Sequence, residues 1–135
     1  MPAITHKRIL LTGFVSNVAL PPDFRERFGS PEEIKARLAT DHYRIERAGI
    51  TAIFYQFDPL EQNKSLEGFE SILQDGKYDA IGIGAGTRLH PDHTAFFETI
   101  VNTCGTIVPG VPLLFNDGPG GSAETLERVF KISIP

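Results

Sequence analysis

What this sequence has little of narrows it before any motif is read. It carries one cysteine, Cys104, so no disulfide can form within the chain, and a reducing, cytoplasmic setting is the expectation. Positive charge is in the minority: 13 Lys and Arg stand against 17 Asp and Glu, a net charge of −4 with no basic run. Nucleic acid and acidic membrane surfaces are therefore excluded as main partners. No apolar stretch is long enough to span a bilayer. In MPAITHKRILLTGF two basic residues precede a short apolar run, but that run stops at Thr12-Gly13, which fits a first strand better than a leader. There is no internal repeat, no linker and no low-complexity segment, and no Gly-Lys-Ser/Thr that would make a Walker loop.

What is present reads as one domain. At 135 residues the chain can enclose a sizeable core, and 41% hydrophobic residues with 22% charged is the composition of a globular α/β protein. Lys7–Thr12 is a short apolar strand closed by Gly13. Residues 13–30 then form a long connection, with Phe24 and Phe28 four apart after Pro21-Pro22, enough for one amphipathic turn. A connection of that length suits a lid or binding loop. Ser30, Pro31 and Glu33 announce a helix through a capping box, with Ile34, Leu38, Ile45 and Ala48 inward and Gly49 as the stop. Asp41 falls inside that stripe; it belongs either at the edge, paired with an arginine, or aimed inward at a site or subunit contact.

Ile50–Phe57 is the second strand, and a second helix follows with Ser65 as its cap and Leu66, Phe69, Ile72 and Leu73 inward. The third strand is Asp79–Gly84. A third helix begins near Pro91-Asp92 with Phe96, Phe97, Ile100, Val101 and Cys104 on one face. Val111–Phe115 is the fourth strand, and Ser122 caps a last helix carrying Ala123, Leu126, Val129 and Phe130. The tail, 131–135, has no assignment. Strand and helix alternate four times, which predicts a parallel sheet covered on both faces, in the order 2-1-3-4. That order reverses between the first and third strands, and ligands of such sheets sit beyond the carboxyl ends of the strands at the reversal.

The segment that reaches this point is Tyr78–His93, YDAIGIGAGTRLHPDH. Gly82, Gly84 and Gly86 alternate, so a continuing strand would leave one face bare, for close helix packing or for a ligand held by backbone N–H groups at Gly86. A dinucleotide fingerprint fits poorly, because its glycines should follow the first strand. The run TRLHPDH resembles the metal motif T-H-x-H-x-D-H of the metallo-β-lactamase family at Thr87, His90, Asp92 and His93. Arg88 stands where the first metal histidine would be, and a guanidinium is no ligand. The expectation is no metal and no cofactor.

An acid–base reading is simpler. His93 shares a helical arc with Phe96, Phe97 and Ile100, so it points toward the sheet from the first turn, where the helix dipole disfavours the imidazolium. Asp92 either caps that helix or orients the histidine. Arg88 can clamp a carboxylate or phosphate. The expected catalytic set is His93, Asp92 and Arg88. The expected substrate-binding set is Gly86, Thr87, Arg88, His90, Ser16, Asn17 and Asn116. Asp58 and Asn116-Asp117 also end strands at the rim, where turn-forming is their simpler role. Cys104 lies a turn or more from the mouth and reads as packing.

Segments KRILLTGF, YDAIGIGAGTR, FFETIVN and LLFNDGPGGSAETLERVF together resemble a group of small uncharacterised bacterial and fungal proteins with a Rossmann-like fold. The shared pattern falls on Gly84, Ala85, Gly86, Arg88, Phe97, Glu98, Asn102, Phe115 and Asn116. It implies a single-domain, three-layer fold, half of a flavodoxin-like arrangement, and carries no activity; it favours Arg88 and Asn116 over His90. Two functions remain open: a cofactor-independent lyase, isomerase or hydrolase acting on an anionic or carbonyl-bearing metabolite, or a nucleotide-, flavin- or metabolite-binding module without chemistry. A homodimer is expected through the apolar Val111–Phe115 edge.

Overall fold

The computed structural model describes residues 6–15 and 18–135, so Ser16 and Asn17 lie outside the described residues. The chain runs β1 (Arg8–Phe14), α1 (Pro22–Phe28), α2 (Pro31–Arg47), β2 (Thr51–Phe57), α3 (Gln62–Asp75), β3 (Ala80–Ile83), α4 (Ala85–Leu89), α5 (Thr94–Ile107), β4 (Leu113–Phe115) and α6 (Ser122–Phe130). The four strands form one parallel sheet in the order β2-β1-β3-β4, a single-domain Rossmann- or flavodoxin-like fold. Among the described residues no helix is long and apolar enough to cross a membrane.

Strand side chains alternate, so the sheet builds two cores. One face sends Leu10, Phe57, Ile81 and Ile83 against Phe69 and Leu73 of α3 and Phe96, Ile100 and Cys104 of α5. The other sends Ile9, Leu11, Ala80 and Leu114 against Ile45 of α2 and Ala123 and Leu126 of α6. Burial pushes the Cys104 thiol up to about 11, in keeping with a packing role.

The departures from the sequence reading have local causes. The capping box at Ser30 and Glu33 forms with both bonds in place, but α2 is rolled so that Asp41 and Ile45 are buried and Leu38 is 43% exposed. Asp41 meets no arginine. Its two oxygens accept the backbone N–H groups of Ser122 and Ala123, at 2.8 and 3.0 Å, and so cap α6 from another helix. Ser122 is therefore the first helical residue and not the cap, which is Gly121. Similarly, α3 starts three residues before Ser65. The Asp58 carboxylate accepts Leu60 N–H and turns the chain early, while the Ser65 hydroxyl bonds the Asp58 backbone and fixes that turn to the helix.

The tail also folds onto the chain. Ile134 is buried in the second core, Arg44 donates to the carbonyls of Ile134 and Pro135, and Glu127 accepts the Ile134 N–H. Residues 22–28 make two turns of helix, more than the single turn expected, with Pro22 at a position that loses no hydrogen bond.

Candidate functional site

The three glycines after Tyr78 do not line one face, because the strand ends at Ile83. A Cβ on Gly82 would fall 2.7 Å from Leu11 Cδ2, so this glycine admits a neighbouring side chain. A Cβ on Gly84 would fall 3.2 Å from the Thr12 carbonyl oxygen, so here backbone approaches backbone as the chain turns into α4. Gly86 lies within α4 with open space where its Cβ would be. The first amides of the turn are already used: Gly84 N–H donates to Thr12 O, and Ala85 N–H to Asn116 Oδ1 at 3.1 Å.

Thr87 is fully buried, and among the described residues its hydroxyl has no partner. A buried hydroxyl that makes no bond is a cost, so Thr87→Val is expected to leave stability unchanged or raise it by about 1 kcal/mol in urea unfolding. A loss of about 1 kcal/mol or more would instead mean that the hydroxyl is bonded.

The two histidines meet on the β1 side. Their ring centroids are 4.4 Å apart, and Phe14 presents an edge to each, at 6.1 Å for His90 and 5.3 Å for His93. His90 is buried and fully engaged. Asp92 N–H donates to its Nδ1 at 3.2 Å, and since a backbone amide can only donate, Nδ1 is the acceptor and Nε2 carries the proton. Nε2 lies 3.0 Å from Ala19 O, which accepts that proton's hydrogen bond and ties the connection after β1 to the end of α4. Neither nitrogen is left for a metal, and among the described residues no three His, Cys, Asp or Glu side chains group as metal donors.

His93 is half-buried at the N-cap of α5, where its side chain makes no capping bond. Asp92, expected either to cap this helix or to orient the histidine, is exposed and is not the cap. Burial, and then the neighbouring His90, hold the His93 imidazole below its ordinary value, partly offset by Asp92. The sequence reading reached the same direction from the helix dipole, but desolvation is the larger cause.

Arg88 heads the other way. Its guanidinium lies over the Phe115 ring at 6.0 Å and donates to the Asn116 carbonyl at 2.9 Å, with Nε buried and, among the described residues, unpartnered. Asn116 joins three elements: its Oδ1 accepts from α4, its Nδ2 lies 3.4 Å from Ser122 Oγ at the start of α6, and it follows β4 directly. The expected set therefore separates into His90 and His93 on Phe14 at the β1 side, and Arg88 with Asn116 at the β4 side. Above lies α1, whose Phe24 and Phe28 are buried with Ala85 and half-buried Leu89, while Phe24 meets His90 at 6.1 Å. The aromatic lid of the sequence reading is thus packed down on α4.

Phe14, the residue that beds both histidines, was not anticipated. Its signal was the strand continuing past Gly13. The chain matches no protein-family model, no curated protein and no solved structure.

Proposed function

We propose that this protein is a cofactor-independent acid–base enzyme, a lyase, isomerase or hydrolase acting on a small anionic or carbonyl-bearing metabolite, with His93 as the proton-transfer group. The carrying observation is the histidine pair: His90 spends both nitrogens on the backbone, which leaves the adjacent His93 as the free imidazole, held below its ordinary value. A base of that kind is unprotonated at neutral pH and needs no further activation. His90 and Phe14 are positioning residues, fixing the face that His93 presents. Arg88 is turned to the β4 side, onto Phe115 and the Asn116 carbonyl, and is not part of this group.

The sign of the pH dependence follows. With the folded value below the ordinary 6.5, catalysis by His93 is lost on the acid side, at a pH below that value. Stability behaves likewise: the contribution is present above the unfolded value and is lost as pH falls through the folded one. Deuterium exchange next to the carbonyl in a panel of 2-oxo acids, with hydrolysis of simple acyl esters, reads the chemistry. His93→Gln is expected to abolish it with the fold intact. Activity that survives this substitution, or a His93 titration by NMR at or above 6.5, rejects the proposal.

A homodimer in the cytoplasm belongs to the same reading. What supports it is an exposed apolar patch beside the β2 edge: Phe54 is 47% exposed, and its ring lies tilted at 4.5 Å from that of His42, one turn from Leu38 on α2. The sequence reading put the dimer on the β4 edge, where Leu113 and Phe115 are half-buried. Sedimentation is expected to give a dimer that Phe54→Asp converts to monomer; a wild-type monomer at high concentration excludes it.

A further inference from the structure

Away from the histidines, three arginines from three different helices converge on one cavity. Arg27 at the end of α1, Arg37 on α2 and Arg128 on α6 line a space of about 320 Å³ whose far wall is the 117–121 loop. This is within the range of roughly 300–1,000 Å³ for small-molecule sites. Its lining includes neither His93 nor Arg88.

Each guanidinium is held by an uncharged partner. Arg27 lies over the Phe28 ring at 5.3 Å, Arg37 donates to the Phe28 carbonyl at 3.2 Å, and Arg128 donates to the Phe115 carbonyl at 3.0 Å. None is paired with a carboxylate: among the described residues the one ion pair within 4 Å is His42 with Glu46. Arg27 and Arg128 are thus oriented by uncharged groups, while Arg37 also lies near enough to Glu33 on α2 to help hold that carboxyl below its ordinary value, and each guanidinium has more N–H groups than these bonds use. Two acids, Asp117 and Glu124, also line the cavity, both exposed, so one positive charge is left in excess. In a chain of net charge −4 that is a local inversion.

The wall is shaped for close approach. Gly120 has φ +84°, and a Cβ there would lie 3.2 Å from Arg37 Cβ, so glycine lets the loop lie flush on the arginine stem. The amides at the start of α6 do not form the anion site, because Ser122 and Ala123 already donate to Asp41. Recognition must come from the guanidiniums.

We propose that this cavity binds a small multivalent oxyanion, a phosphate ester or a polycarboxylate, through Arg27, Arg37 and Arg128. The proposal goes beyond the proton chemistry of His93 and stands without it. Charge-assisted bonds to guanidinium carry the affinity, so binding weakens as salt rises. The opposing Glu124 holds the affinity down.

Isothermal titration of the full chain at low ionic strength tests it, with inorganic pyrophosphate and citrate as separate probes. One saturable site is expected. Arg27→Ala and Arg128→Ala should each weaken it by about tenfold, and Glu124→Gln should tighten it a few-fold. Arg27 and Glu124 are exposed, so these two variants keep the fold, with thermal melting as the check. Binding of pyrophosphate alone assigns phosphate chemistry, and of citrate alone, carboxylate chemistry. Binding of neither, or binding indifferent to Arg27→Ala and Arg128→Ala, overturns the proposal. His93→Gln should leave the titration unchanged, so this test and that of the catalytic reading fail separately.

Discussion

Replacing Asp41 by alanine is expected to lower the stability of the whole fold by about 3 kcal/mol. The carboxylate is 4% exposed and gives each oxygen to a different backbone N–H at the first turn of α6. Bonds to a charged acceptor contribute roughly 1.5–3 kcal/mol each, less than additively, and the negative charge at a helix N-terminus adds to them. Nothing local can take over, since the N-cap is Gly121, with no side chain to offer. Alanine would leave two amides unpaired in a buried seam between α2 and α6. Asp41→Asn should cost much of the same, because one oxygen becomes an NH2 facing a donor. Urea unfolding with an unchanged slope is the measurement. A loss under about 1 kcal/mol for Asp41→Ala would mean that water or a shifted loop replaces the cap.

Asp41 also marks where sequence reading stops. The order of the sheet was legible, because four apolar runs separated by helical periods leave few right-handed parallel arrangements. The helix stop at Gly49 and the capping box at Ser30 were legible because their causes lie within a few residues. Asp41 was not, because its partners are more than 80 residues away and are backbone groups that every residue carries. Only its place in an apolar stripe betrayed it. Ser65 misled for the opposite reason: it has the right chemistry for a cap, but the Asp58 turn had already started the helix. The α4 turn was missed because five residues show no periodicity, and with it went the idea of a bare glycine face. At the candidate site His93 was read onto a helical arc, whereas the helix begins one residue later and His93 is its N-cap, half-buried beside His90. The pairing of His90 with Ala19, and the meeting of Arg27, Arg37 and Arg128, depend on loops whose paths no local pattern states.

Those loops are held by α1, and Phe28 is the residue on which α1 depends. It is 5% exposed, meets Phe24 edge-on at 5.6 Å, carries Arg27 on its face, and lies so close to the 117–121 loop that a Cβ on Gly118 would be 3.0 Å from its ring. Its own carbonyl anchors Arg37. The cluster under α1 is small, three buried residues against nine or ten in each main core, so α1 has little else to dock with. Phe28→Ala should therefore release α1 without melting the sheet. Truncating a buried phenylalanine costs about 3–5 kcal/mol, which here falls on the docking of one helix and corresponds to at least roughly a hundredfold rise in its opening. Hydrogen exchange should show it at Phe24, Arg25 and Gly29, whose amides bond within this turn, while the strand amides of β1 and β3 keep their protection. The same opening lifts Phe24 from His90 and draws Arg27 away from Arg37 and Arg128. The variant should lose the pyrophosphate isotherm together with α1 protection. Uniform loss of protection across the sheet would show that α1 is part of the global folding unit, and retained α1 protection would show that Phe24, Leu20 and Ile34 suffice to hold it.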